Sequence, residues 1–199
     1  MTPASSTPVR PGRQRSQAAD EAILSATLEL LSERGYGGFT VSAVIDRSGV
    51  SSATLYRRWP TKQQLVAAAL ASIVPQPTST DTGTLRGDLR AFLVDFSQSI
   101  AARREDIAEG LAHEVKHNPE LAAALREKFL VPRLDELGKI LSRAMQRGEL
   151  TRCPTTEIAY SLVVGPIYHR AFVLAKPLTA DFLAEATVQA LRGLGGRGD

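Results

Sequence analysis

Apolar side chains recur at the three-and-four spacing of helices over most of this chain. From Ser16 to Arg34 the positions Ile23, Thr27, Leu30 and Leu31 make one stripe, with Leu24 and Leu28 beside it. Asp20 and Glu21 stand in the early turns, Arg34 in the last, and Gly35 closes the run. Tyr36-Gly-Gly-Phe-Thr40 reads as a turn, with Phe39 a core plug and Thr40 a helix cap. Val41, Val44 and Ile45 then mark the inner face of a short helix that Gly49 ends, supplying the left-handed backbone that reverses the chain. Ser51 or Ser52 caps the next helix, in which Leu55 faces inward while Thr54, Tyr56, Arg57 and Arg58 project outward. Residues 41–60 therefore read as a helix-turn-helix, whose second helix enters a DNA major groove.

The pattern beyond Pro60 is helical to the end. Thr61 caps a helix to about Val74, with Leu65, Ala69 and Ile73 inward and Lys62 in its first turn. A cation there opposes the helix dipole, which suits a phosphate at that helix end. Residues 75–83 form a linker rich in proline and small polar residues. Helices follow at 84–102 (Leu85, Leu89, Phe92, Phe96, Ile100) and 105–117 (Ile107, Leu111, Val115). Asn118-Pro119-Glu120 starts a long one reaching about Arg147, which Pro132 should kink or split. The last two helices are expected at 156–174 and 180–194, the first of them apolar nearly all round. Such a helix buries two faces, one on its own chain and one on a partner.

Charge sharpens this picture through its location. The first 62 residues carry eight Lys and Arg against five Asp and Glu, and the rest holds sixteen of each. All the excess positive charge thus lies with the candidate reader and its leading arm (Arg10, Arg13, Arg15), as binding to DNA phosphates requires. The single cysteine, Cys153, excludes an internal disulfide and suits a reducing cytoplasm. No apolar run reaches a membrane span, so no membrane partner is expected.

The turn Tyr36-Gly-Gly-Phe-Thr40 and the run Gly49-Val-Ser-Ser-Ala-Thr-Leu-Tyr-Arg-Arg-Trp-Pro-Thr-Lys62, with Leu65, resemble the N-terminal domain of TetR-type (tetracycline-repressor-like) regulators over roughly residues 16–70. The resemblance implies phosphate contacts from Thr40, Ser51, Thr54, Tyr56 and Lys62, base-edge contacts from Ser52, Ala53 and Arg57, and core roles for Leu55 and Trp59. One departure is visible: Ser52 and Ala53 stand where the family often has Lys then Gly or Ala. The lost lysine shifts phosphate affinity onto the arm, Arg57 and Arg58. The resemblance further implies a dimer built from the last two long helices, with Leu162, Gly165, Pro166, His169, Phe172, Phe182, Ala186 and Ala190 at the interface.

One other motif carries chemistry. His113-Glu-Val-Lys-His117 matches the H-E-x-x-H zinc pattern, in which two histidines grip a metal and the Glu activates water. It sits on the final turn of its helix and lacks a recognisable third-ligand motif, although Glu136 and His169 are candidates. Histidines there also fit the helix dipole, or can line an effector pocket as polar anchors.

The expected protein is all-α and is not an enzyme: an N-terminal three-helix helix-turn-helix domain plus a C-terminal helical ligand-binding and dimerisation domain. The boundaries read as a disordered basic arm (1–15), the DNA-binding domain (16–62), the effector and dimerisation domain (63–194) and a disordered tail (195–199). It is expected to be a homodimeric repressor on a palindromic double-stranded operator, released by a small, largely apolar effector, with no cofactor and no metal. Candidate pocket residues are Phe92, Phe96, Leu111, His113, His117, Phe129, Leu137 and Tyr168. The alternatives are an effector-independent or activating regulator with the same reader, and a zinc-dependent hydrolase using His113 and His117.

Overall fold

The computed structural model describes residues 11–102 and 105–196, and among these every regular element is helical. The described residues form two compact units, 11–72 with 105–125, and 73–102 with 126–196.

The first unit opens with α1 (Pro11–Gly38). Its backbone is already helical at residues 11–15, which corrects the disordered arm expected there, and proline at the first position gives up an N–H that a helix start leaves unpaired anyway. Arg10 lies outside the described residues, as do the side chains of Arg13 and Arg15. Gly35, at φ 65° and ψ 175°, interrupts the helix where the sequence put its end. Ile23, Ala26, Leu30 and Leu31 are buried along one stripe. Thr27 joins them without an orphaned hydroxyl, because its Oγ1 donates to the Ile23 carbonyl at 2.8 Å.

α2 (Val41–Ser48) is capped by the Thr40 side chain, which accepts from the Ala43 N–H, and ends at Gly49 with φ 66°. α3 (Ser52–Arg58) follows, then α4 (Lys62–Ile73), whose start Thr61 caps through the Gln64 N–H at 3.2 Å. The sequence assigned α4 to the second domain together with everything after it. Its Leu65 and Val66 are instead fully buried among Ile23, Leu30, Phe39, Val44 and Leu55. α6 (Glu105–His117) and α7 (Pro119–Leu125) return to the same core through Ile107, Leu111 and Leu121. Asn118 caps α7 as its sequence signal implied, its Oδ1 accepting from the Leu121 N–H at 3.0 Å.

The second unit is built on α5 (Leu85–Ala101), α8 (Val131–Gln146), α9 (Thr156–Tyr168) and α10 (Ala180–Gly193). Pro132 changes the geometry of the expected long helix without ending it, since it offers no N–H to the carbonyl four residues back. A five-residue π segment, Arg126–Leu130, absorbs the defect just before α8. Past the internal Pro166, α9 likewise gives way to a π segment, His169–Val173, so the helix expected to 174 changes geometry at 168. Leu89, Phe92, Leu93, Leu137, Ile140, Val163, Ile167 and Leu191 fill the core.

A polar knot fixes the 75–83 segment against this core. Asp88 is 1% exposed, and its Oδ1 accepts from the Thr82 N–H (2.7 Å) and hydroxyl (2.8 Å). Its Oδ2 pairs with Arg147 at 3.2 Å and Arg143 at 3.4 Å. Burial pushes the Asp88 carboxyl up, but the Thr82 and Arg147 hydrogen bonds and the Arg143 charge together hold it below its ordinary value.

Candidate nucleic-acid interface and ligand cavity

Two elements set the recognition surface: Gly49, which turns the chain, and Leu55, 1% exposed, which seats α3 on the core. With Leu55 inward, Ser52, Ala53, Tyr56 and Arg57 form the exposed face of α3, one and four residues apart. Tyr56 is 49% exposed. Trp59 is half-buried against the core, as a structural residue should be. Thr54 is half-buried and accepts from the Ser51 hydroxyl at 3.0 Å, while its own N–H goes to the Ser51 carbonyl at 3.0 Å. Ser51 therefore makes no side-chain cap. Thr40 is exposed, with its oxygen engaged in capping and its hydroxyl proton still available.

Three of the basic residues near the reader are internally committed. Arg58, read from sequence as an outward, affinity-bearing side chain, turns back to α1: it pairs with Asp20 at 2.5 Å and donates to the Ser16 hydroxyl at 2.5 Å and carbonyl at 3.2 Å. Lys62, expected at a phosphate, donates to the carbonyls of Tyr36 (2.7 Å) and Phe39 (2.9 Å) and lies 4.4 Å from the centroids of both rings. Burial holds its ammonium below its ordinary pKa, partly opposed by the charge of Glu114. Arg47, which sequence reasoning passed over, grips Glu33 with two bonds of 2.7 and 2.8 Å and holds that carboxyl below its ordinary value. Each is a fastener between α1 and a neighbouring element. Arg57 remains exposed and, among the described residues, in no ion pair.

The pocket residues expected from sequence do not assemble as a set. Phe96, Phe129 and Tyr168 do line one cavity of about 60 Å³, with Val74, Ser99, Ile100, Leu130, Tyr160 and Arg133. Phe96 meets Tyr160 and Tyr168 edge-on, at 6.3 and 5.3 Å between centroids. Phe92 and Leu137 are absorbed into the solid core, and Leu111 into that of the first unit. His113 and His117 are exposed on α6. The sequence missed Arg133, 6% exposed at the cavity wall, with Nη1 donating to the Phe129 carbonyl at 2.7 Å and its guanidinium 5.6 Å from the Phe96 centroid. Helical periodicity places residue 133 inward, but an arginine in that position reads as a snorkelling surface residue. A larger depression of about 730 Å³ lies open between α8 and α9, lined by Leu134, Lys139 and Thr156 among others, and encloses nothing.

The two-sided apolar character of α9 is realised. Ala159, Val163, Val164 and Ile167 face the core, while Ile158 (62% exposed), Leu162 (40%) and, beyond it, Phe172 (53%) are left outside with Pro166 and His169. Gly165, half-buried, has nothing within 4 Å of where a Cβ would stand. Gly193 lets Leu162 lie across the end of α10, since a Cβ there would come within 2.8 Å of its Cδ2. Ala186 and Ala190, proposed from sequence for a dimer interface, are instead 5% and 4% exposed in the unit's own core. Phe182 is half-buried beneath Arg170, whose guanidinium is 4.4 Å from its centroid. No helix among the described residues is long and apolar enough to cross a membrane.

Family models agree with this geometry. Residues 23–69 match the one described as bacterial regulatory proteins, tetR family, and residues 79–190 the tetracyclin repressor-like C-terminal domain. Over 85% of its length the chain is 35% identical to the HTH-type transcriptional regulator Mb1581 of Mycobacterium bovis, 81% of which is covered. It is 30% identical to a DNA-binding transcriptional repressor TetR of Mycobacteroides abscessus, with 85% of this chain and 90% of that one covered. Among solved structures, the TetR family transcription regulator SCO0332 superposes with a TM-score of 0.61 at 25% identity, covering 91% of this chain and 99% of the other.

Proposed function

The chain belongs to the TetR family of DNA-binding transcriptional regulators, and on that footing we propose that it is a homodimeric repressor released from its operator by a small effector. The observation that carries this is the exposed α3 face of Ser52, Ala53, Tyr56 and Arg57, seated by Leu55 beneath and by the ion pair of Arg58 with Asp20 of α1. In a major groove Arg57 would read a guanine edge, while Thr40, Thr54 and the Tyr56 hydroxyl hold phosphates. With Arg47, Arg58 and Lys62 committed elsewhere and Arg57 at a base edge, phosphate affinity falls on the N-terminal arginines. The exposed stripe Ile158, Leu162, Pro166, His169 and Phe172 is the face we assign to a second copy, and two-fold pairing makes the operator palindromic. Repression rather than activation follows the named repressor from Mycobacteroides abscessus. The cytoplasm, where the operator is, is the compartment this reading requires.

The cavity constrains how an effector acts. A volume of about 60 Å³ holds roughly two waters, whereas ligand pockets begin near ~300 Å³. An effector at this site must therefore bind an expanded state of the second unit, and it releases DNA by favouring that state over the DNA-competent one. Arg133 in the wall favours a ligand carrying a hydrogen-bond acceptor or an anionic group among aromatic contacts.

The test is a salt-dependent mobility shift on DNA flanking the protein's own gene. Arg57→Ala should weaken binding about 5- to 150-fold, corresponding to ~1–3 kcal/mol, and relax discrimination at one base position. Wild-type affinity in both Arg57→Ala and Tyr56→Ala would remove α3 as the reader.

A further inference from the structure

We propose that His113 and His117 form a two-imidazole site for a borderline divalent transition ion, Cu²⁺ or Zn²⁺, that clamps the end of α6. The two residues lie four apart on the last turns of the helix, both exposed, with ring centroids 4.7 Å apart and planes inclined at 48°. Side chains at this spacing share a face, with Cβ atoms about 5–6 Å apart. That separation lets one nitrogen of each ring reach a common ion at ~2.0–2.1 Å. Imidazole suits copper and zinc, and at a given nitrogen site copper binds more tightly than zinc.

Among the described residues the pair lacks the third ligand that a zinc hydrolase uses. Glu114, the middle carboxylate of the H-E-x-x-H pattern, turns away from the imidazoles: its Oε1 lies 3.8 Å from the Cβ position of Gly37, and its charge acts on Lys62 and Tyr36. Among the described residues no third His, Cys, Asp or Glu joins the pair. With two ligands among the described residues and both rings exposed, the site is open and the ion exchangeable, unlike that of a closed structural site.

The consequence is mechanical. His117 directly precedes Asn118, whose amide donates to the Tyr36 hydroxyl at 3.3 Å and whose oxygen caps α7. Cross-linking positions 113 and 117 removes fraying from the turn that anchors this contact. Because the folded helix holds the two imidazoles together and the unfolded chain does not, the ion binds the folded state more tightly and stabilises the unit that carries the reader.

Untagged full-length protein is titrated calorimetrically with CuCl₂ and with ZnCl₂, and melted at a series of metal concentrations. One ion per chain is expected, tighter for copper, with a midpoint that climbs logarithmically with metal. His113→Ala and His117→Ala should each weaken binding at least tenfold and abolish the climb, while Cys153→Ser, which removes the exposed thiol, leaves both unchanged. The exposed sites and the helix preference of alanine keep these variants folded, which the metal-free melt verifies. Unchanged stoichiometry and affinity in the double variant His113→Ala/His117→Ala would overturn the assignment, as would the absence of binding to wild type at 1 mM metal.

Discussion

Replacing Lys62 with methionine separates two physical roles for one cation. Methionine keeps the aliphatic stem and deletes the ammonium, hence both bonds to the carbonyls of Tyr36 and Phe39. A hydrogen bond from a charged donor contributes about 1.5–3 kcal/mol, and carbonyls stripped of a donor in a half-buried turn add a desolvation cost. The stacked position over both rings adds ~0.5–1 kcal/mol. Against this stands the cost of dehydrating the ammonium, visible in its lowered pKa. The net expectation is a loss of about 2–4 kcal/mol in stability. At ~2–4 °C per kcal/mol for a chain of this size, the midpoint should fall by roughly 5–15 °C. Thermal melts measure this directly, and operator binding is then read at a temperature where both proteins are folded. If the ammonium serves the turn and not a phosphate, the slope of affinity against salt is unchanged. A stability change below about 0.5 kcal/mol, with the salt slope reduced by ~1, would refute the fastener role and restore the phosphate contact.

Three further outcomes follow from the geometry. Asp88→Asn should destabilise by about 2–3 kcal/mol, since it breaks a buried pair whose arginines are partly solvated. The Asp88 pKa is depressed in the folded state, so its contribution is complete above the ~3.9 of an unstructured aspartate and is lost as pH falls below it; urea titrations at pH 3–7 should show the two proteins converging at the acid end. Gly49→Ala places a Cβ at φ 66° and should cost ~1–2 kcal/mol in the same melts without touching any DNA-facing side chain. Leu162→Asp puts a charge in the exposed α9 stripe, and sedimentation should show a monomer at micromolar concentration while the circular dichroism stays helical. A dimer that survives this change would exclude α9 as the pairing face.

The features legible in the sequence are those that local chemistry specifies. Gly49 is needed for a backbone angle, Asn118 for a cap, Pro132 for a missing donor, and Leu55 for the inward side of a seven-residue helix; each signal lies within a few residues of its effect. The helix-turn-helix and its exposed face are therefore legible in the sequence, and so is the two-faced apolar pattern of α9. What tertiary structure alone decided is where the charges go and which helices share a core. Arg47, Lys62 and Arg58 find partners 14, 23–26 and 42 residues away, and nothing in a cation's sequence neighbourhood encodes such a partner. A basic excess near the reader thus looked like phosphate affinity, while a large part of it fastens the reader to α1. The same holds for α6 and α7, whose apolar stripes fix an inner face but not the unit it joins, and for Arg133, whose burial comes from aromatic neighbours on α5 and α9. Periodicity determines which side of a helix is buried; only the assembled fold determines against what.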